Sequence, residues 1–298
     1  MPADYPAVGD WVEFEMTPGG PAIVHAVLPR SSLIVRKAAG TEPVEQILAA
    51  NVDFLFVVSA LDDDFNVRRI ERYTALGVSS GVQPILILNK LDACNDFDVR
   101  IVQLRAAHVD VPFHAVSALR GEGLGDLRQY LDPGATVALC GSSGAGKSTI
   151  ANGLLGEAWQ RTCETREDDA KGRHTTTTRS LFALPSGAFL IDTPGMRELH
   201  LWTSSESISE SFADIDEYAA ACRFGDCTHT SEPGCRIREA LEAGTLDAGR
   251  LENYRKLLRE QAYLERQTGS WAERSERRKW KNLQRGAREQ SRFKRRLQ

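Results

Sequence analysis

The chain of 298 residues has no run approaching the ~18–20 consecutive apolar residues of a membrane span. Its first residues, MPADYPAVGDW, lack the basic stretch and apolar core of a secretory signal. These absences lead us to expect a cytoplasmic protein with no membrane partner. No internal repeat or true low-complexity tract is evident. There is no overall basic excess: 37 Lys and Arg face 41 Asp and Glu, for a formal net charge of −4. Cysteine is sparse, six in all, and a cytosolic chain is not expected to join them as disulfides. What is present is 42% hydrophobic residues, ample for the packed cores of two or three domains.

The first chemical motif is Gly141-Ser142-Ser143-Gly144-Ala145-Gly146-Lys147-Ser148-Thr149, a match to G-x-x-x-x-G-K-[ST]. Thr136–Cys140 before it reads as a buried parallel strand, and Ser148–Leu155 after it as the start of a helix. Glycines let backbone N–H groups curl around phosphate oxygens, and the helix N-terminus adds partial positive charge. Lys147 should reach the β- and γ-phosphates and act in catalysis, with Ser148 a ligand of Mg²⁺.

The base is read earlier in the chain. Pro84–Leu88 is an apolar strand candidate, and Asn89-Lys90-Leu91-Asp92 stands at its carboxyl end, the edge where open α/β sheets bind ligands. A carboxylate at Asp92 can accept from guanine N1–H and the 2-amino group together. Adenine offers no such donor pair, and a site built on a hydrogen bond rejects the analogue lacking it. Lys90 can lie along the base, and Asn89 can tie this loop to the phosphate loop. A second strand candidate, Asp110–Val116, leads into Ser117-Ala118-Leu119, a short loop whose backbone can support the guanine oxygen; an ordinary turn is the competing reading. In an ordinary GTPase the N-K-x-D element follows the phosphate loop. Here it precedes it, which implies a circularly permuted chain path.

Downstream, Ala188–Ile191 runs into Asp192-Thr193-Pro194-Gly195, a D-x-x-G. Asp192 would hold the Mg²⁺ shell through water, and Gly195 would offer its N–H to the γ-phosphate. Between the two motifs lies Gly172–Arg179 (GRHTTTTR), where Thr176 or Thr177 would complete the Mg²⁺ shell. Many GTPases place a water-orienting Gln after D-x-x-G, but this chain has Met196. A thioether cannot orient an attacking water, so His174 is the candidate for that task. The competing reading of His174 is a surface imidazole that only packs or solvates.

Cys222, Cys227, His229 and Cys235 read C-x4-C-x-H-x5-C, with turn formers between them. Three thiolates and one imidazole form a closed tetrahedral Zn²⁺ set, which points to one structural metal. The last 28 residues, Trp271–Gln298, carry 11 Lys and Arg against 3 Asp and Glu. Trp271, Trp280 and Phe293 interrupt the basic residues, a pattern suited to phosphates and unpaired bases of RNA. Docking of those tryptophans on their own domain is the alternative.

These features divide the chain into an OB-like β module at 1–48, an α/β nucleotide domain at 49–202 and a helical zinc-binding domain with a basic tail at 203–298. Strands are expected at Asp10–Met16, Ala22–Val27 and Ser32–Arg36, and helices at Val67–Gly77, Phe97–His108, Leu124–Leu131, Ser204–Asp216 and Leu246–Arg266. The order N-K-x-D, S-A-L, phosphate loop, G-R-H-T-T-T, D-T-P-G and C-x4-C-x-H-x5-C resembles the RsgA family, as does Val8-Gly9-Asp10-Trp11-Val12. The resemblance covers essentially the whole chain. It implies an N-terminal OB-fold β-barrel, a circularly permuted P-loop GTPase domain and a C-terminal zinc domain. It also implies GTP hydrolysis to GDP stimulated by the small ribosomal subunit, late maturation of that subunit as the task, contact with its rRNA, and the histidine of G-R-H, His174, as the catalytic group. Only seven residues precede Val8-Gly9-Asp10, fewer than the family's barrel usually has, which leaves an incomplete or reorganised barrel, or a chain start placed late. A non-catalytic GTP-sensing RNA-binding module and a permuted GTPase of large-subunit assembly are the alternative functions. A monomer is the simpler expectation.

Overall fold

Short β-rich runs broken by glycine and proline turns fold into two antiparallel hairpins at the start of the chain. The first pairs β1 (Val12–Met16) with β2 (Ala22–Val27); the second pairs β3 (Leu33–Lys37) with β4 (Glu45–Ala50). The computed structural model describes residues 5–37, 45–156, 180–192, 205–263 and 265–266. Among these residues no ladder joins the two hairpins, so the expected barrel is seen as two separate ladders. The reason lies in burial. The β3–β4 pair sends Ile34, Leu48 and Ala49 into the core of the nucleotide domain, while β1–β2 leaves Trp11, Phe14 and Met16 exposed. The two hairpins are stitched at Val8-Gly9-Asp10. Ala50 N donates to Val8 O at 2.9 Å, and a Cβ on Gly9 would stand 2.1 Å from Ala50 O. Asp10 accepts Nε and Nη2 of Arg30, both at 2.7 Å, a bidentate pair.

The central sheet follows. Its strands are β5 (Phe54–Ala60), β6 (Gln83–Asn89), β7 (Phe113–Ala115), β8 (Thr136–Gly141), β9 (Ser180–Ala183) and β10 (Phe189–Asp192), in the order β7-β6-β5-β8-β10-β9. All pairings are parallel except β9–β10. Both faces are covered, which explains the continuous apolar runs. Leu55 and Val57 face one core with Ile70, Tyr73 and Leu76 of α1 (Val67–Ser79). Phe56 and Val58 face the other with Ile150 and Leu155 of α3 (Lys147–Leu155). The side chain of Asn66 caps α1 by accepting from Arg69 N at 3.0 Å. Between β6 and β7 runs α2 (Phe97–Ala106). The helix expected at Leu124–Leu131 is a 3₁₀ helix, Leu124–Tyr130, in keeping with Gly123 ahead of it and Gly125 inside it.

The C-terminal part is helical: α4 (Ser205–Ser211), α5 (Ala213–Ala220), α6 (Arg236–Glu242) and α7 over residues 248–263. The single helix expected over Ser204–Asp216 is divided because Phe212 leaves helical geometry and buries its ring. Ile208, Phe212, Ile215, Ile237, Leu251 and Leu257 join the same apolar core as Leu55 and Leu76. At this seam sits Arg250, 3% exposed. Nε donates to Asp214 Oδ2 at 2.9 Å; Nη1 donates to Glu71 Oε1 at 2.9 Å and Ala107 O at 2.8 Å; Nη2 donates to Asp214 Oδ1 at 2.6 Å and Ser211 O at 3.2 Å. The five N–H donors of a guanidinium thus match five acceptors, and its plane lies 4.5 Å from the centroid of Phe212. Glu71 also accepts Asn253 Nδ2 at 2.7 Å.

Burial opposes the Asp214 charge, yet the Arg250 hydrogen bond and charge hold its carboxyl below the ordinary value. A depressed carboxyl contributes stability above its unfolded pKa, and that contribution is lost as pH falls through the folded value. Removing Arg250 takes the buried cation from both Glu71 and Asp214 and leaves Glu71 only the half-exposed Arg68 at 3.0 Å, a loss of about 3–5 kcal/mol. Urea unfolding should therefore show Arg250→Met destabilised by about that amount at neutral pH. Its deficit against wild type should narrow as pH falls below about 4, the ordinary aspartate range.

Candidate functional site

Strand order locates the site. From β5 the chain steps outward to β6 and β7; from β8 it goes the other way, to the edge strand β9 and back to β10. The crevice between the carboxyl ends of β5 and β8 is therefore the topological switch point, where open α/β sheets take their ligands.

The phosphate-type loop leaves β8 at this crevice. Gly141 has φ 138°, and a Cβ there would stand 2.1 Å from Val58 O on β5. Gly146 has φ 93°, and a Cβ there would stand 2.1 Å from Nδ2 of Asn89. Only glycine allows both approaches. Ser143, Gly144, Ser148 and Thr149 are exposed, and Ala145 is buried. Lys147 opens α3 with its side chain buried; Nζ donates to Gly141 O at 2.8 Å and to Ser142 O. The loop thus curls around an ammonium group at a helix N-terminus, an arrangement that attracts anions.

The N-K-x-D loop leaves β6 beside it. Asn89, 3% exposed, donates Nδ2 to Ala145 O at 2.9 Å and accepts Ala118 N at Oδ1 at 3.0 Å. One amide therefore joins the phosphate-type loop, the end of β6 and the S-A-L loop. Lys90 is left-handed, φ 65°. Asp92 sits in the middle of a 3₁₀ turn, Leu91–Ala93, and accepts Ser117 Oγ at 2.6 Å. That bond holds the Asp92 carboxyl below its ordinary value, against the opposing effect of desolvation, so it is an ionised acceptor at neutral pH. Ser117 is buried and its backbone exchanges bonds with Glu122, whereas the Leu119 side chain is exposed. Asp192 ends β10, whose residue Ile191 pairs with Ala138 of β8. His174, Thr176, Thr177 and Gly195, together with Met196 and the Trp271–Gln298 tail, lie outside the described residues.

Sequence reasoning missed two further residues in the crevice. Asp62 follows β5 and accepts Lys90 Nζ at 2.7 Å. Asp64 accepts Arg69 Nη1 at 2.6 Å and the hydroxyl of Ser142. Burial raises Asp62, but the Lys90 hydrogen bond and the Asp64 N–H outweigh it, leaving the carboxyl below its ordinary value. The Arg69 and Ser142 bonds lower Asp64 likewise. The signal was available: three acidic residues, Asp62–Asp64, directly after an apolar strand.

The cysteine cluster forms a second site. The donor atoms of Cys222, Cys227, His229 and Cys235 lie within 4.8 Å of one another. His229 is left-handed, φ 60°, and its Nδ1 stands 3.5 Å from Sγ of both Cys222 and Cys235. Ligand atoms around a tetrahedral Zn²⁺ with sulfur at ~2.3 Å are about 3.8 Å apart, so the set fits that ion. Arg255 on α7 holds the knuckle through His229 O at 3.1 Å.

A parallel sheet with a glycine loop at its switch point, and the base-reading strands placed before that loop in the chain, defines a circularly permuted P-loop GTPase with a C-terminal metal-binding region. The RsgA GTPase family model matches residues 27–202. A small ribosomal subunit biogenesis GTPase RsgA from Opitutus terrae is 49% identical over 301 residues, covering 98% of this chain and 82% of its own length. A protein of the same name from Methanosarcina acetivorans is 43% identical over 279 residues, covering 93% and 76%. The crystal structure of YjeQ from Thermotoga maritima superposes with a TM-score of 0.62 at 28% identity, covering 87% of this chain and 85% of that one. YloQ, described as a circularly permuted GTPase, shares the fold with a TM-score of 0.60 at 23% identity, covering 87% and 81%. The chain belongs to the RsgA GTPase family and is a GTP-hydrolysing enzyme.

The metal cluster makes a prediction. Protein purified with zinc should carry about one equivalent by elemental analysis, the capacity of one closed four-ligand site. Cys227→Ala should lose that metal and melt earlier, while Cys94→Ala should keep it.

Proposed function

We propose that this chain binds GTP at the β5–β8 crevice and hydrolyses it on the small ribosomal subunit during late maturation, with nucleotide state governing its hold on rRNA. The observation that carries the reading is the buried Asn89 amide, which fastens a guanine-reading loop to a phosphate loop within one crevice. The names of the relatives supply the subunit. Membership of a hydrolysing family favours turnover over the sensor reading, and those names favour the small subunit over the large.

In this reading Asp92 accepts from N1–H and the 2-amino group of guanine, and Lys90 lies along the base. Ser117, Ala118 and Leu119 present backbone to the base oxygen. Residues Gly141–Thr149 wrap the phosphates, with Lys147 at the β- and γ-groups, where charge develops during transfer. Ser148 and Thr176 or Thr177 would hold Mg²⁺, with Asp192 in its outer shell; when bound, the ion neutralises charge on the phosphate oxygens. Gly195 N–H meets the γ-phosphate and His174 orients the attacking water, the task that Met196 cannot perform. Contacts made only with the γ-phosphate give the two nucleotide states different affinities for rRNA, as a switch requires. The basic Trp271–Gln298 segment supplies phosphate-neutralising charge. Among the described residues no helix is long and apolar enough to cross a membrane.

Two experiments test this reading. Phosphate release should rise on adding purified small subunits and not large ones. His174→Ala should abolish that rise while leaving the dissociation constant for GDP within about twofold, since His174 is assigned to the water and not to binding. Equal stimulation by both subunits would sink the subunit assignment. Asp92→Asn should weaken GDP on the order of a hundredfold or more and gain xanthosine diphosphate, whose 2-oxo group accepts from the new amide. Isothermal titration with both nucleotides decides this, and unchanged GDP binding would remove Asp92 from the site.

A further inference from the structure

The loop after β5 is unassigned by any motif, yet it touches both halves of the crevice. Because β5 lies between β6 and β8, its carboxyl end faces the base-reading loop on one side and the phosphate loop on the other. One carboxylate serves each side: Asp62 holds Lys90 Nζ at 2.7 Å, and Asp64 takes the Ser142 hydroxyl. The loop is itself braced. Asp62 Oδ1 accepts Asp64 N at 2.9 Å, and Asp62 O accepts Arg100 Nη1 at 2.7 Å and Phe65 N at 3.0 Å. The Arg100 guanidinium lies 5.0 Å from the Phe65 ring centroid. Lys90 has left-handed backbone, φ 65°, and a four-carbon stem with many rotamers to lose on binding.

We propose that Asp62 is a positioning residue of the nucleotide site, holding the Lys90 ammonium so that the lysine stem is already set along the purine face before the nucleotide arrives. Ordering Lys90 in the free protein removes part of the entropy cost of binding. Asp62 acts through Lys90 and not on the base edge, so it adds affinity without adding base selectivity. The inference rests on the guanine-nucleotide reading above.

The test is a double-mutant cycle on the full chain, read by binding of a fluorescent GDP analogue and by its competition with inosine diphosphate. Asp62→Asn should weaken GDP about tenfold, equivalent to about 1.4 kcal/mol, mainly through faster dissociation. In a Lys90→Met background the same change should cost less than about twofold, because the partner is gone. The ratio of GDP to inosine diphosphate affinity should be the same in wild type and Asp62→Asn. Asp62→Glu, with its carboxylate displaced, should show a smaller loss in the same direction and carries the test if Asp62→Asn does not fold. A loss that persists undiminished in the Lys90→Met background, or a changed nucleotide ratio, overturns the proposal. Failure of the wild-type chain to bind GDP sinks the guanine reading and this inference together; tight wild-type binding unaltered by either Asp62 substitution overturns this inference alone.

Discussion

The nucleotide crevice depends on one buried amide. Asn89 has two polar ends and two different loops to satisfy, Ala145 on one side and Ala118 on the other. A buried amide left without either partner would lose that hydrogen bond and keep its desolvation cost, about 1–3 kcal/mol. The two loops therefore cannot separate without penalty. The constraint reaches back into sequence choice: Gly146 must lack a Cβ because Nδ2 of Asn89 occupies that space. The glycine of one motif and the asparagine of the other, 57 positions apart in the chain, are parts of a single packing solution. This is why permutation is harmless to the site. The amide requires β7, β6, β5 and β8 in that order across the sheet and is indifferent to which of them the chain visits first.

How much was legible in the sequence follows from what each feature needs. Glycine loops and carboxylate-bearing tetrapeptides are local, so Gly141–Thr149, Asn89–Asp92 and the Cys222–Cys235 knuckle could be read from residue type and spacing. The strands were legible because burial on both faces leaves unbroken apolar runs. Asp62 and Asp64 were not, because acidic residues after a strand read as a solvated turn until the sheet order puts β5 between the two motif loops. Arg250 was hidden for a similar reason. It looks like one of many arginines in a C-terminal helix, and only the contact across 179 positions with Glu71 shows it to be buried. The closure of the N-terminal barrel was left open by the sequence, since too few residues precede Val8; among the described residues the apolar side chains of β3 and β4 enter the core shared with the central sheet.

The C-terminal helices are held to the nucleotide domain by more than their covalent link. Arg68 pairs with Asp247, Glu71 with Arg250 and Asn253, and Arg72 with Glu260, so one face of α1 is zipped to α7 by charge and amide contacts. A buried ion network is weak evidence of net stability, but it is strongly sensitive to geometry, since any displacement leaves charges unpaired. Contacts of this kind favour discrete arrangements over gradual sliding.

That placement bears on how the nucleotide could move the C-terminal region. The direct route is the chain itself, which leaves the crevice at Asp192 and enters α4 at Ser205. The second route is rigid. The loop that touches Ser142 and Lys90 runs straight into α1, and the axial rise from Val67 to Glu71 is about 6 Å at 1.5 Å per residue. A change at the phosphate loop that shifts Asp64 is thus separated from the Glu71–Arg250 contact by little more than one turn of packed helix. A packed helix with two discrete seats can carry a displacement from one end to the other. The described C-terminal helices are thus tied to the crevice twice, by the chain that leaves at Asp192 and by the Glu71–Arg250 contact at the first turns of α1.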